Sequence, residues 1–300
     1  MSPGPARSRA AGGAAARLWR LALLALLALG TVLLLFPLWW MVVVSLETPE
    51  RAGRAIVSGD VLSLFPADPQ WHNYAQALRE VGAVPWQGFL DALANSIVIT
   101  VSCVLGTVLS SSLVGYAFAR LRFFGREGFF VLMLATMMLP AQVTMIPLFL
   151  LFRNLGWIDT PLPLIVPAFF GAAFHIFMYR QFMAGLPEAL FEAARLDGLG
   201  PVGIWWRLAL PLCRPVTAIT AVFTFIFVWN DFLSPLVYLH SDEQATLAVA
   251  LNAFRNQYGG LDDVHLLMAL SVITMLPCVL LFLVAGRHFV QGLNAGGVKG

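Results

Sequence analysis

The sequence predicts an all-α, polytopic membrane protein with six transmembrane helices and one long helix–turn–helix loop between the fourth and fifth. Three observations predict it. Hydrophobic residues make up 59% of the 300-residue chain and charged residues 11%, against about 45–50% and about 25% in a soluble domain. The apolar residues gather in six stretches, each near the roughly 20 residues that carry a helix across a bilayer. The stretches are continuously apolar rather than alternating, which selects helices over barrel strands. This composition excludes a disordered chain, a nucleic-acid binder and an ordinary soluble enzyme. The net charge of +2 is too small to call for a polyanionic partner. Cys103, Cys213 and Cys278 are odd in number and widely spaced in or beside apolar runs, which predicts inert thiols and no metal site.

In chain order, residues 1–20 form an N-terminal segment, 21–286 the six-helix domain and 287–300 a C-terminal tail. The spans are expected at about 21–46, 93–119, 129–152, 162–182, 216–238 and 266–285. The first is longer than the roughly 7–15 apolar residues of a signal peptide and is read as a retained helix. The loop 47–92 carries Pro66, Pro69, Trp71, Tyr74 and Trp86, with a short helix expected near 71–81. It reads either as an interfacial segment with rings at headgroup level or as a docking surface. The loop 239–264 holds Asp242, Glu243, Asp262 and Asp263 without the spacing of a calcium loop, so a solvated face is expected. With both termini inside, 13 of the 18 Lys and Arg fall on inner segments, as the positive-inside rule favours.

The inner loop 183–214 is long and charged. Pro187 suits the first turn of a helix and Glu188 its positive dipole end. Leu190, Ala193, Ala194 and Asp197 lie at helical spacings. Gly198 fits a left-handed C-terminal cap. Pro201 permits a second helix, Val202 to Leu210, which Pro211 is expected to halt. Small Ala193 and Ala194 leave room for another protein to approach closely.

Glu192-Ala193-Ala194, three residues, Gly198, nine residues and then Leu208-Ala209-Leu210-Pro211 resemble the EAA signature of permease subunits of ABC import systems. Leu208 stands where Ile is usual. Ala119-Arg120-Leu121-Arg122-Phe123, Met138 to Val143, Trp229 to Leu233 and the tail Gln291 to Gly300 narrow the likeness to carbohydrate-uptake permeases similar to the smaller maltose-system subunit. The closely related glycerol-3-phosphate subunits share most of these segments.

The resemblance implies a multi-pass subunit of a bacterial or archaeal cytoplasmic membrane, forming half of a heterodimeric pore. A second permease pairs with it, two copies of an ATPase bind inside, and a solute-binding protein docks outside. Glu188, Glu192, Ala193, Ala194, Asp197, Gly198, Leu210 and Pro211 would form the ATPase-coupling loop. Gly296, Gly297, Val298 and Lys299 would belong to a flexible tail that reaches the ATPase. ATP and Mg would sit on that partner, since this chain has no Gly-x-x-x-x-Gly-Lys-[Ser/Thr] loop. No cofactor and no catalytic residue is expected here.

Polar groups at membrane depth face a cavity or another helix. Asn230 and Asp231 lie about 15 residues into the fifth span, roughly 22 Å from its inner end at 1.5 Å per residue. Asp231 caps a helix break, bonds a neighbouring helix or touches sugar hydroxyls; Gln142 and Asn95 are further candidates for the solute pathway. A self-sufficient secondary transporter would need intramembrane carboxylate or His relays, which only Asp231 and His175 approach.

Overall fold

The computed structural model describes residues 8–59, 66, 68–83, 88–258, 260 and 262–296. The fold is all-helical, with no strand among the described residues. It divides into two compact units, residues 1–76 with 258–272, and residues 77–257 with 273–300.

In the first unit, helix α1 (Ser8–Ser45) leaves its apolar side chains from Trp19 to Leu35 exposed. Helix α2 (Pro49–Ser58) starts on a proline, which needs no N–H there, and stops at Gly59, whose φ of 59° is left-handed. Its small face, Ala52 above all, packs with Val44 and Val264. Helix α3 (His72–Ala83) occupies the place expected near 71–81. Asn73 ties its start down, donating to the carbonyls of Ser45 and Glu47, both at 2.9 Å. Trp86 lies outside the described residues.

The second unit is built on α4 (Phe89–Arg120), which packs against α8 (Ala173–Ala184) and α12 (Arg214–Trp229). Helix α8 can approach α4 closely because Gly115 faces Tyr179 there. Between them run α5 (Arg126–Thr136), α6 (Ala141–Asn154) and α7 (Leu162–Ile165), the last followed by a 3-10 turn, Val166–Phe170. Next come α9 (Glu188–Leu196), α10 (Pro201–Ile204) and α11 (Leu210–Leu212). After α12 follow α13 (Leu233–Tyr238), α14 (Leu247–Tyr258) and α15 (Val264–Gly296).

Among the described residues, four helical stretches are long and apolar enough to cross a membrane: Trp19–Ser45, Phe89–Arg120, Leu162–Ala184 and Val264–Val284. A fifth is counted if Pro201–Leu212 and Arg214–Trp229, bent by 81°, form one span. The expected span at 129–152 is instead two helices of 11 and 14 residues, broken before Pro140. A residue preceding proline is pushed out of the helical region, and proline has no N–H to continue the ladder. The expected span at 216–238 divides too, at Asn230–Phe232 between α12 and α13.

Two further expectations change and one gains detail. The second loop helix runs one residue past Pro211 and ends at Leu212, before the 81° bend into α12. The chain widens into a π-helical turn, Trp205–Ala209, in which the Leu210 N–H reaches back five residues to Trp205 O. The wider turn carries the helix past the missing proline donor. The loop 239–264 contains helix α14. The tail, expected to be flexible, is helical through Gly296; Gly297, Val298 and Lys299 lie outside the described residues.

Candidate functional site

The hairpin between α8 and α12 is shaped by local chemistry. Pro187 precedes α9 with extended backbone, φ −59° and ψ 130°. At the other end Gly198 has φ 81°. Its N–H bonds the Arg195 carbonyl at 3.0 Å, and the Leu199 N–H bonds the Ala194 carbonyl at 3.1 Å. This pair of bonds is a Schellman cap, and only a residue free to take the left-handed conformation closes it without strain.

Two faces of α9 result. Phe191 is fully buried and Ala194 nearly so, packed in a cluster with Tyr116, Tyr179, Ile204 and Trp205. Glu192, Ala193 and Leu196 point outward, Leu196 at 89% exposure. The expectation that both alanines leave room for a partner is therefore corrected. Ala194 lies three residues from Phe191, on the face that meets the protein's own bundle. Ala193 alone of the pair is offered outward. Glu188, Glu192, Asp197, Gly198 and Pro211 are exposed, and Leu210 is half-buried against the cluster. The second limb is pinned by the Trp205 indole N–H, which donates to Ser112 Oγ on α4 at 3.2 Å.

The sequence reading missed Arg120, the last residue of α4. Its guanidinium bonds the Glu188 carboxylate, the Met183 carbonyl and, at 2.6 Å, the Leu186 carbonyl. It also lies 4.0 Å from the centre of the Phe191 ring. Only the motif Ala119 to Phe123 hinted at it; Glu188 is 68 positions away.

A cavity of about 270 Å³ lies among α4, α6, α7, α12 and α13. Gln142 and Asp231 line it, with Thr100, Cys103, Thr144, Trp229 and Tyr238. Asp231 also bonds the Ser234 N–H through Oδ1 at 3.1 Å, so it caps the break before α13 while facing the cavity. Asn230 and Asn95 are not among the lining residues. The Asn230 amide turns back to the Ile226 carbonyl at 2.8 Å. The Asn95 amide donates to the carbonyls of Glu243 and Ala245, at 2.9 and 3.1 Å, and so fastens the segment before α14. No Arg, Lys or His lines the cavity among the described residues.

At the α13 end of this unit, Asp159 was also missed. It sits at φ 64° and accepts from the Ser241 and His240 N–H groups and the Ser241 hydroxyl, at 2.8, 2.9 and 2.9 Å. Those backbone donors, Ser241 first and then His240, hold its carboxyl below the usual range.

A helical unit with broken membrane-length helices, a polar-edged cavity and an outward-facing hairpin fits a membrane-embedded transport component. The chain belongs to the family of inner membrane components of binding-protein-dependent transport systems, which it matches over residues 111–295. It is a transport subunit and not an enzyme. It is 37% identical to the arabinooligosaccharides transport system permease protein AraQ of Halalkalibacterium halodurans, covering 88% of this chain and 91% of that one. It is 30% identical to the sn-glycerol-3-phosphate transport system permease protein UgpE of Yersinia pestis, over 89% and 93% of the two chains. A solved bacterial ABC transporter, involved in import of the acidic polysaccharide alginate, contains a chain of the same fold. The TM-score is 0.76 at 25% identity, with 96% of this chain and 100% of that one covered.

Proposed function

We propose that this chain is one of two permease subunits that form the translocation pathway of an ATP-driven importer, taking a sugar from an external solute-binding protein. The observation that carries the reading is α9. It is a capped, rigid helix, anchored by Phe191 and Ala194 and offering Glu192 and Ala193 outward, at the centre of the matched family region. Such a helix suits the groove of an ATPase subunit. When ATP closes the ATPase dimer, the paired docking helices approach each other and the spans shift, exposing the cavity to the other side. ATP drives the change by binding one state better than the other. Both termini are inside, by the distribution of Arg and Lys. Six crossings follow if α5 with α6, and α12 with α13, each act as one broken span. Gly296, Gly297, Val298 and Lys299 are assigned the role of an ATPase-contacting tail.

The relatives' names span a neutral oligosaccharide and a phosphate ester, so the cargo must be read from the cavity. Its lining carries the Asp231 carboxylate and no cationic side chain among the described residues, which favours an uncharged sugar over glycerol-3-phosphate. A polyol fits the same argument. The test is uptake into proteoliposomes holding both permeases and the ATPase, with the binding protein added. Uptake should need ATP and the binding protein together. Uptake by the permeases without the ATPase would overturn the reading and favour a secondary transporter.

A further inference from the structure

We infer that Arg120 is a positioning residue that braces the docking helix, so that displacement of α9 is delivered to α4 and α8 instead of being lost in the linker between them. The inference rests on the coupling role proposed above for the loop 183–214.

The need for a brace follows from the chain path. Helix α8 ends at Ala184 and α9 begins at Glu188. Between them lie Gly185, Leu186 and the extended Pro187, so no continuous helix joins the two. A nine-residue helix on a three-residue linker would swivel when pushed. Arg120 closes that freedom from a third element. One nitrogen, Nη1, holds the Glu188 carboxylate in the first turn of α9. The other, Nη2, holds Met183 O in the last turn of α8 and Leu186 O in the linker. The guanidinium face rests on Phe191, the buried side chain one turn into α9. One side chain thus grips the end of one helix, the linker and the start of the next. It is itself held, with only 7% of the side chain exposed.

The chemistry requires arginine. A planar fork sends parallel donors to separate acceptors while its face stacks on a ring; an ammonium is a point charge that does neither together. Cationic charge at the end of α8 also suits the free carbonyls of that helix. Glu188 carries a second contact, from Arg195 Nη1 at 3.3 Å, which lies wholly within α9 and cannot replace the link to α4.

A residue that only stabilised the fold would lower the amount of assembled importer and leave its efficiency alone. A brace sets efficiency. The test uses the full importer in proteoliposomes, with ATP hydrolysis and uptake measured in the same vesicles. Arg120→Lys and Phe191→Leu keep charge or bulk and serve if Arg120→Ala fails to assemble. Solute moved per ATP should fall about tenfold in Arg120→Lys, while hydrolysis per assembled complex stays near the native rate. A second readout is the distance distribution between spin labels at Ala189→Cys and Leu113→Cys, both exposed. It should be narrow with Arg120 and broad with Lys. An unchanged ratio of uptake to hydrolysis, or equal widths in the two proteins, overturns the inference. Broadening in an importer whose uptake proves independent of ATP overturns the coupling reading instead, and leaves Arg120 as a purely mechanical anchor with no load to carry.

Discussion

Gly115→Ala tests whether the seam between α4 and α8 has the closeness that its geometry implies. A Cβ at Gly115 would stand 2.6 Å from Tyr179 Cβ, 3.1 Å from Ile176 O and 3.2 Å from Arg180 N. Carbon atoms pack at about 3.5–4.0 Å, so the shortfall is roughly 1 Å. Two of the three neighbours are backbone atoms and the third is bonded to backbone, so no flexible side-chain end can yield. The helices must part. Tyr179 is fully buried, and its hydroxyl donates to Thr217 Oγ1 on α12 at 3.0 Å; separation strains that bond as well. Overpacking costs about 1–3 kcal/mol, and a weakened hydrogen bond adds about 0.5–1.5 kcal/mol. Removing a helical glycine returns about 0.5–1 kcal/mol. The net loss is about 0.5–4 kcal/mol, with a middle value of about 2 kcal/mol. The assay is thermal unfolding of the purified protein in detergent, with Gly128→Ala as control, since nothing lies within 4 Å of a Cβ there. At roughly 2–4 °C per kcal/mol, Gly115→Ala should melt several degrees lower and Gly128→Ala at or slightly above the parent. If the two variants melt together, the seam between α4 and α8 has room for a Cβ and the close approach at Gly115 is refuted.

Three other outcomes are expected. Gly198→Ala forces a side chain into the left-handed region, at about 1–2 kcal/mol, and opens the cap of α9; uptake should drop more than ATP hydrolysis when both are followed in proteoliposomes. Asp159→Ala should destabilise by about 1–2 kcal/mol in thermal melts and Asp159→Asn much less, because Asn tolerates the same φ and still accepts hydrogen bonds. The carboxyl at 159 is held below its ordinary 3.8, so its contribution is present above that pH and is lost as acid carries the protein through the lower folded value; Asp159→Asn should flatten this acid limb of the melting curve. Asp231→Asn preserves the cap on Ser234 while removing the cavity's charge, and competition assays should show sugar phosphates gaining on free sugars by on the order of tenfold, the effect of one unit charge several Å away.

The hairpin was legible because its determinants are local. Pro187 and Gly198 set the limits of α9 to within a residue or two, by rules that involve only the neighbouring peptide units. The spans were legible as composition but not as continuous objects. An apolar count passes through Leu139 and Pro140 undisturbed, while the backbone cannot. The two asparagines show the same divide. Polarity marked Asn95 and Asn230 as unusual at membrane depth, yet whether an amide meets a solute or a carbonyl depends on what lies opposite. For Asn95 that is Glu243 and Ala245, about 150 residues along the chain.

The outward face of α9 was marked in the sequence, whereas its tie to α4 was not. Under the coupling role proposed above, a partner would touch one short element, so its signal falls in nearly consecutive residues such as Glu192, Ala193 and Gly198. A helix that passes motion to its own bundle is held through contacts between elements distant in sequence, as Arg120 with Glu188 and Trp205 with Ser112 are. Local pattern therefore reports where such a subunit is touched, and tertiary contacts report how the touch is carried inward. Phe191 and Ala194 lie between the two, spaced like the outward residues but turned onto the bundle. Larger side chains at Ala194 should accordingly disturb the packing of Trp205 and Ile204 and lower the melting temperature, whereas larger ones at Ala193, exposed among the described residues, should leave it unchanged and, under the proposed coupling role, weaken only co-purification with the ATPase.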